Sequence, residues 1–517
     1  MAPELQEMLD SKTRVKLAHN TLMMEQILGE SADIVRRDLQ CGGTDGVPGV
    51  LYFVDGLVDE RQLEEGILRP LVGLNDASFL RNVEADDQTV IDRLLIHSSI
   101  SAVDTYQKAV ESLLSGDAVL WLDQYASAFV ISVRGGDKRS IEEPQTESIL
   151  RGPRDGFTEH IRTNTALIRR RIKDPSLRIE SIIIGERTRT DVNIAYIADL
   201  VKPGLVKEVY KRLQRIEIDA VLESGYIEEL IEDAPLSPFP TLLGTERPDR
   251  VAAGLLEGRL AVLVDNTPFV LLMPTYFWEF FHASDDYYMR YIAGSFFRLI
   301  RYLALFISLT LSSLYVLLVS FHQEMIPTQL ALTIAAGRES VPFPVLVEVL
   351  VMETAFELMR EAGIRMPKPV GQAASIVGSL VIGQAAVQAG IVSPIMVIII
   401  AISGISSFVI PNFSASFSIR LMRIPLIIAS GTLGLLGFLI VLFMMSVHLL
   451  SLRSFGEPYL APSVPFRPND QKDSLFRFPW WSMKTRPQMA QSADRQGNNQ
   501  RPQKPSHQSA GAEDGTS

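Results

Sequence analysis

The order of apolar and polar positions divides the chain into two halves. Through about residue 290, short apolar runs alternate with polar turns, a pattern typical of a soluble α/β protein. Three long apolar segments follow, at 296–321, 370–411 and 424–452. As a helix, the first is about 37 Å long, whereas a bilayer core is about 30 Å thick. The second is long enough for two crossings. We therefore predict an integral membrane protein, with an α/β region followed by an all-α polytopic transmembrane domain.

The α/β region divides into two predicted subdomains, 1–148 and 149–275. The first opens with a helical pattern over 15–39. Its remaining predicted elements are a strand at 46–55, helices at 59–70, 87–96 and 103–115, and a hairpin of 118–123 with 127–133. The second has predicted strands at 178–185 and 191–197, helices at 159–172, 203–214 and 248–256, and a closing hairpin of 259–265 with 268–274. An interfacial helix and the transmembrane domain should occupy 276–456. The remainder, 457–517, is rich in Pro, Gln, Ser and Asn, which predicts a disordered tail.

An internal similarity links the two subdomains. The sequence "LLSGDAVLWLD" at 113–123 parallels "LLEGRLAVLVD" at 255–265, and each continues to a Phe-Val pair. Each stretch predicts the end of a helix followed by a hairpin. The two subdomains are therefore predicted to be related α/β folds.

Composition excludes several classes of function. The net charge of −11 argues against a nucleic-acid-binding protein, because neutralising phosphates needs a basic excess. The single cysteine, Cys41, allows no internal disulfide bond. The seven histidines are scattered, and no nucleotide-binding loop, HExxH motif or nucleophile elbow occurs, so we expect no enzyme activity, no cofactor and no metal. The first residues lack the apolar run of a secretory signal, so the α/β region is expected in the cytoplasm.

Charged residues near the apolar segments each allow two interpretations. Four arginines, at positions 162, 169, 170 and 171, lie on one predicted helix. They form either a solvated or intersubunit face, or a contact with anions or lipid headgroups. Glu348, Glu353 and Glu357 either lie in water at the membrane interface or form rings that favour cations, since buried charge at bilayer depth is costly and usually functional. Arg420 and Arg423 are interpreted as headgroup anchors.

Several motifs resemble one known family. These are "GPRDGFTE" at 152–159, "RTNTALIRRRI" at 162–172, and the block 323–411 with its "PFP", "PKPVGQ", "IVSP" and "IPNF" stretches. They are similar to the A-subunit family of spore germinant receptors, the GerA type. The resemblance covers about residues 30–460, and "EPYLAP" at 457–462 resembles the end of the family pattern.

This resemblance implies a location and a set of partners. The protein would lie in the inner membrane of an endospore, with a transporter-like B subunit and a lipoprotein C subunit. The A subunits of this family are expected to form a homo-oligomeric ring of five around a pore for monovalent cations that opens in response to nutrient. Some members act outside nutrient receptors as amplifiers of the same response.

The residues themselves are compatible with a pore. Val377, Val381, Gln384 and Gln388 share one helical face in a stretch of small residues. That face would supply an apolar constriction followed by uncharged polar rings, and Glu324 is the candidate for the pore mouth. The alternative is that these residues only pack helix on helix within one subunit.

Two other classes of protein compete with the channel. A secondary transporter subunit is disfavoured because too few spans exist for the usual inverted repeats. The second competing class is a non-conducting scaffold that only passes the nutrient signal to a separate channel. Four or more crossings are expected, and an even number returns the chain end to the cytoplasm.

Overall fold

The protein was analysed as a computed structural model that describes residues 3–41, 46–72, 99–135, 142–366, 383–483 and 485–488. The chain forms two compact units. The first, called here the α/β unit, contains the chain up to Glu232, then Leu242–Pro274, then the part from Pro479. The second, the helical unit, contains Asp233–Thr241 and Thr275–Phe478. The predicted helix at 87–96 and the candidates Val377 and Val381 lie outside the described residues.

The α/β unit is built on two antiparallel five-stranded sheets. The first sheet consists of β1 (Ile34–Cys41), β2 (Val47–Val54), β3 (Ile100–Val103), β4 (Ala118–Leu122) and β5 (Ala128–Ile131), in the order β1-β2-β4-β5-β3. The second consists of β6 (Leu177–Ile184), β7 (Thr190–Ile197), β8 (Leu243–Thr245), β9 (Leu260–Val264) and β10 (Val270–Met273), in the order β6-β7-β9-β10-β8. The two strand orders are identical, which confirms the predicted relation between the subdomains.

Helices cover these sheets and close their apolar cores. The first subdomain has α1 (Pro3–Asp10), α2 (Leu17–Leu28), α3 (Glu60–Leu63), a π-helical turn (Glu64–Leu68), α4 (Arg69–Val72) and α5 (Tyr106–Leu114). The second has α6 (Ile161–Arg171), α7 (Pro203–Leu213), α8 (Ser224–Ile231) and α9 (Pro248–Leu256). Successive side chains of β4 point to opposite faces: Leu120 packs in the core on the α3–α4 side and Trp121 in the core with α2 and α5.

The predicted helix over 15–39 is wrong in its second half. The helix α2 ends at Leu28, and Gly29 follows with φ of 60°, a conformation that glycine adopts without steric cost. The chain then forms β1, which pairs with β2 over its whole length. The apolar residues of 34–39 are spaced loosely enough to fit both the helical and the strand period. Pairing with β2 across the sheet stabilises the strand.

The structure describes five α-helices of the helical unit over their full length. They are α10 (Tyr291–Phe321), α11 (Thr328–Arg338), α12 (Val345–Arg365), α13 (Pro394–Phe408) and α14 (Phe413–Ser451). Among the described residues, α10 and α14 are long and apolar enough to cross a membrane, and α13 is a shorter apolar helix. Instead of the predicted interfacial helix, two 3₁₀ turns, Phe277–Phe281 and Ser284–Tyr287, precede α10.

The helix α14 folds back on itself at Gly434. Gly434 has φ 64° and ψ −141° inside the helix, a conformation open essentially to glycine alone. The Ser418 hydroxyl donates to the carbonyl of Pro238, and the adjacent Ser237 hydroxyl lies 2.8 Å from His448 Nε2. In a straight helix, residues 418 and 448 would be about 45 Å apart. The segments 413–433 and 435–451 are therefore the two arms of a helical hairpin.

The helical part begins and ends at the same side of the helical unit. The Thr275 N–H donates to Ser454 Oγ at 3.0 Å, and Arg298 Nη1 donates to Asp473 Oδ1 at 2.9 Å. We call this side the near end and the opposite side, where Gly434 packs on Phe321, the far end. Among the described helices, α10 leaves the near end and the second arm of α14 returns to it.

The structure differs from the predicted disorder at the start of the C-terminal tail. Residues 453–478 pack within the helical unit, where Arg298 is fully buried and pairs with Asp286 and Asp473. Arg477 Nη1 donates to the carbonyls of Asp286 and Met289 at 2.9 and 2.8 Å. Tail composition alone does not reveal these pairings, because the partners lie about 180 residues earlier in the chain.

Candidate functional site

The acidic residues of α12 lie against arginines of α14. Arg423 Nη1 donates to both carboxylate oxygens of Glu353, at 2.9 and 2.8 Å, and its side chain is only 3% exposed. Ser312 Oγ of α10 donates to the same carboxylate at 2.8 Å. One turn further, Arg420 pairs with Glu357. Each glutamate is thus neutralised by an arginine of the same chain, and Glu353 is only 13% exposed whereas Glu357 is 49% exposed.

The same contacts give Arg420 and Arg423 partners within the chain, which their interpretation as headgroup anchors did not include. Both are buried, at 8% and 2% exposed. Burying a charge is costly unless it is paired and hydrogen-bonded, which the α12 carboxylates accomplish. The sequence signal that could have revealed these ion pairs is the presence of opposite charges in two separate apolar helices.

Glu348 forms a second buried ion pair nearer the far end. Its Oε2 lies 3.0 Å from Arg338 Nη1, and the carboxylate is fully buried. Its Oε1 accepts the N–H of Ser393 at 2.6 Å, at the start of α13. This carboxylate therefore ties α11, α12 and α13 together. Sequence reasoning missed Arg338 as its partner.

Glu324, the candidate pore-mouth residue, lies just beyond α10. Its side chain is 73% exposed, and Oε1 lies 3.3 Å from His322 Nδ1. A hydrogen bond from its own backbone N–H, then one from His322, lowers the pKa of the carboxyl. The structure therefore leaves this carboxylate ionised and accessible at the far end.

Gln384 and Gln388 are both exposed, one turn apart on a helical stretch at 383–388. On the opposite side of this stretch, Ala386 and Val387 pack against the apolar core of the helical unit. The glutamine side chains thus point away from the packing of their own chain.

Arg162 and Arg169 of α6 join the two subdomains of the α/β unit. Arg169 is 1% exposed and donates from Nε and Nη2 to Asp33 at 2.6 and 3.0 Å, while Nη2 also donates to Ser31 Oγ. Arg162 pairs with Asp55, and Arg171 pairs with Asp155. Neither predicted interpretation of this helix included such a role, because sequence alone does not show which carboxylates approach it.

A pocket of about 540 Å³ lies between the two sheets of the α/β unit. Residues of α2 and β1 line one wall, and Ile179–Ser181 with Tyr210 line the other. Burial raises the pKa of the lining residue Tyr52 to about 12, so its hydroxyl is neutral. None of the predicted site residues lines this pocket.

The described residues contain no group of three or more His, Cys, Asp or Glu side chains arranged to hold a metal ion. Cys41 is buried, and desolvation raises the pKa of its thiol to about 11, so it is a poor nucleophile.

These features define a membrane-associated protein in which a duplicated α/β unit accompanies a helical unit with paired internal charges. The family model described as Bacillus/Clostridium GerA spore germination protein matches residues 22–489, and the chain belongs to this family.

Named relatives agree with this assignment. Spore germination protein KA of Bacillus subtilis (strain 168) is 47% identical over 489 residues, covering 94% of this chain and 89% of the relative. Spore germination protein GerLA of Bacillus cereus is 41% identical, covering 90% and 94%. A B. subtilis relative at 44% identity, covering 94% and 93%, is named uncharacterized membrane protein YfkQ. The crystal structure of the N-terminal domain of the A subunit of the Bacillus megaterium spore germinant receptor GerK3 is 35% identical, covers 52% of this chain and 98% of that chain, and has a TM-score of 0.39.

Proposed function

We propose that this protein is the membrane subunit of a spore germination receptor and that several copies form a ring around a gated pore for monovalent cations. The observation that carries the proposal is the exposed pair Gln384 and Gln388. The exposed side chains of the neighbouring α13 are apolar, such as Ile398 at 56% and Ile402 at 43% exposure. Polar amides on such a surface need water or a polar partner, which a central pore supplies.

The charges of the helical unit support a pore lined by uncharged groups. Glu348, Glu353 and Glu357 are each paired with an arginine of the same chain. Copies arranged around an axis would therefore present rings of glutamine rather than rings of buried glutamate. The exposed Glu324 at the far end would add negative charge near the mouth, which attracts cations.

The relatives named as spore germination proteins support the assembly that goes with this function. In that assembly the receptor lies in the inner membrane of the spore, with a transporter-like B subunit and a lipoprotein C subunit. The α/β unit faces the spore core, and a nutrient acts mainly through the B subunit. A family member that amplifies germination outside a nutrient receptor would use the same pore.

Cation flux through reconstituted protein tests the proposal. We would measure potassium efflux from liposomes containing the full chain, with and without the B and C subunits and nutrient. Gln384→Glu should raise the preference for potassium over chloride several-fold, because each copy adds one negative charge to a pore ring. Gln329→Glu is the matched control, since Gln329 is an exposed glutamine on α11 outside the proposed lining.

Two further variants sharpen the result. Gln388→Glu should act like Gln384→Glu, and Val381→Ala should raise basal flux if position 381 forms the constriction. Absence of flux from correctly assembled protein in the presence of partners and nutrient would instead support the non-conducting scaffold. A change in selectivity with Gln329→Glu equal to that of Gln384→Glu would contradict the assigned lining.

A further inference from the structure

A cluster of five charged side chains in the helical unit contains one positive charge more than its own carboxylates neutralise. Arg360, Arg420 and Arg423 lie together there with Glu353 and Glu357. The two carboxylates pair with Arg420 and Arg423. Among the described residues, Arg360 forms no ion pair. Its Nη2 donates to Ser407 Oγ at 2.5 Å and to the carbonyl of Gly404 at 3.5 Å.

The three guanidinium groups retain unused donors. The Nε atoms of all three are buried without a hydrogen-bond partner in the described part of the chain. Arg360 Nη1 and Arg420 Nη2 also make no hydrogen bond there, but they are not buried. A charge at this depth is costly without a counter-ion. The segment that follows α12 in the sequence, 367–382, contains no Asp or Glu.

Exposed aromatic rings surround this cluster. The guanidinium carbon of Arg360 lies 4.1 Å from the ring centre of Phe408, and that of Arg420 lies 5.5 Å from the ring centre of Phe417. The side chains of Phe408, Phe413 and Phe417 are 65%, 59% and 51% exposed. Such a rim of rings around two arginines suits the boundary between headgroups and acyl chains.

The depth of the cluster is set by its neighbours in the helical unit. Ser418, two residues before Arg420, donates to Pro238, whose segment also contacts Ser454 and Tyr459 at the near end. The cluster therefore lies about one turn inside the near end, where the phosphate groups of one leaflet would be found.

We propose that Arg360 and Arg420 form a binding site for the phosphate group of an anionic phospholipid. A phosphodiester oxygen would accept from Arg360 Nη1 and Arg420 Nη2, and its charge would balance the excess of one guanidinium. The exposed phenylalanine rings would contact the acyl chains. This site is independent of the proposed pore, because it lies on other helices and requires no conduction.

Lipid titration of the purified full chain tests the site. Native mass spectrometry in detergent would give the concentration of dioleoyl-phosphatidylglycerol at half-saturation, with dioleoyl-phosphatidylcholine as the zwitterionic comparison. Arg360→Gln should raise the half-saturating concentration about fivefold, the contribution of one arginine near a membrane surface. Arg360→Lys, which keeps the charge, should stay within about twofold of the parent.

Two variants separate the site from a folding defect. Glu357→Gln raises the excess charge and should bind phosphatidylglycerol more tightly, a direction that misfolding does not produce. Arg365→Gln is the matched control, because Arg365 lies on the same helix, pairs with Glu361 and is 77% exposed. The proposal is overturned if Arg360→Gln and Arg365→Gln bind alike or if phosphatidylcholine binds as tightly. Saturation by inorganic phosphate without lipid would overturn the assignment to a phospholipid.

Discussion

Breaking the buried pair of Glu353 and Arg423 should strongly destabilise the helical unit. In Arg423→Met, the carboxylate of Glu353 keeps only the hydrogen bond from Ser312 and loses its counter-charge. The side chains of the pair are 13% and 3% exposed, so solvent cannot replace the arginine. We therefore expect a large loss of stability from the single substitution.

The magnitude follows from the energetics of buried pairs. Removing one partner of a buried ion pair costs about 3–5 kcal/mol, because an uncompensated charge remains. For a unit of roughly 200 residues, about 1 kcal/mol shifts Tm by about 2–4 °C. Arg423→Met should therefore lower the apparent Tm by roughly 6–20 °C. The double variant Glu353→Gln with Arg423→Met removes both charges and should recover most of that loss.

The assay is the fraction of protein that still elutes as folded material after heating in detergent, recorded by fluorescence-detected size exclusion. Arg365→Met provides the control, since its pair with Glu361 is exposed and contributes well below 1 kcal/mol. A drop in Tm no larger for Arg423→Met than for Arg365→Met would refute the reasoning. So would a double variant that is less stable than Arg423→Met alone.

Three further predictions concern the α/β unit and the helical hairpin. Arg169→Met leaves the buried Asp33 without its partner and should destabilise the α/β unit by about 3–5 kcal/mol, measured by hydrogen exchange of β1. Burial, then the neighbouring carboxylates, raises the pKa of Glu228 to about 7, so its stabilising contribution is complete below about pH 4.5 and is lost as the pH rises through about 7. Hydrogen exchange of α8, corrected for intrinsic rates, should therefore be faster at pH 8 than at pH 5, and Glu228→Gln should remove this difference. Gly434→Ala should lower the apparent Tm of the helical unit, because alanine at φ 64° and ψ −141° costs roughly 1–3 kcal/mol.

Each of these predictions has its own contrary result. For Arg169, exchange rates of β1 unchanged by Arg169→Met would show that the pair contributes little. For Glu228, protection of α8 that rises with pH would reverse the sign of the argument. For Gly434, the control is Gly337→Ala, whose added Cβ would meet only Pro394 at 3.6 Å. Equal effects of Gly434→Ala and Gly337→Ala would argue against a tight hairpin.

The sequence predicted the α/β unit well where the signal was local. The hairpins that close both sheets, and the similarity of 113–123 to 255–265, are confirmed by two sheets of the same strand order. Local patterns did not predict the structure between Leu28 and Cys41, because the apolar spacing there fits both a helix and a strand. Pairing with β2 determines that the chain forms a strand. The arginines of α6 could not be interpreted for the same reason, since Asp33 lies 136 residues away from Arg169.

The helical unit shows a different limit of sequence analysis. Apolar length predicted α10 and α14, and α10 confirms the segment 296–321. The length of the apolar segment did not predict that α14 reverses direction at Gly434. A single glycine within an apolar run does not indicate that its backbone adopts a positive φ. The sequence pattern singled out the glutamates of α12. The interpretation that they lie in water at the membrane interface, however, considered that helix alone. The ion pairs belong to three helices, and only their packing shows which carboxylate meets which arginine.

The paired charges constrain any pore that this protein forms. If the α12 glutamates lined a cation path, each copy would have to break pairs with Arg420 and Arg423, at the cost of leaving two buried guanidinium groups without partners. Exposed glutamines require no such rearrangement, since they already point away from the core of their own chain. The pairs of α12 and α14 therefore hold the helices in register, and in the pore that we propose, selectivity would depend on Gln384, Gln388 and the accessible carboxylate of Glu324.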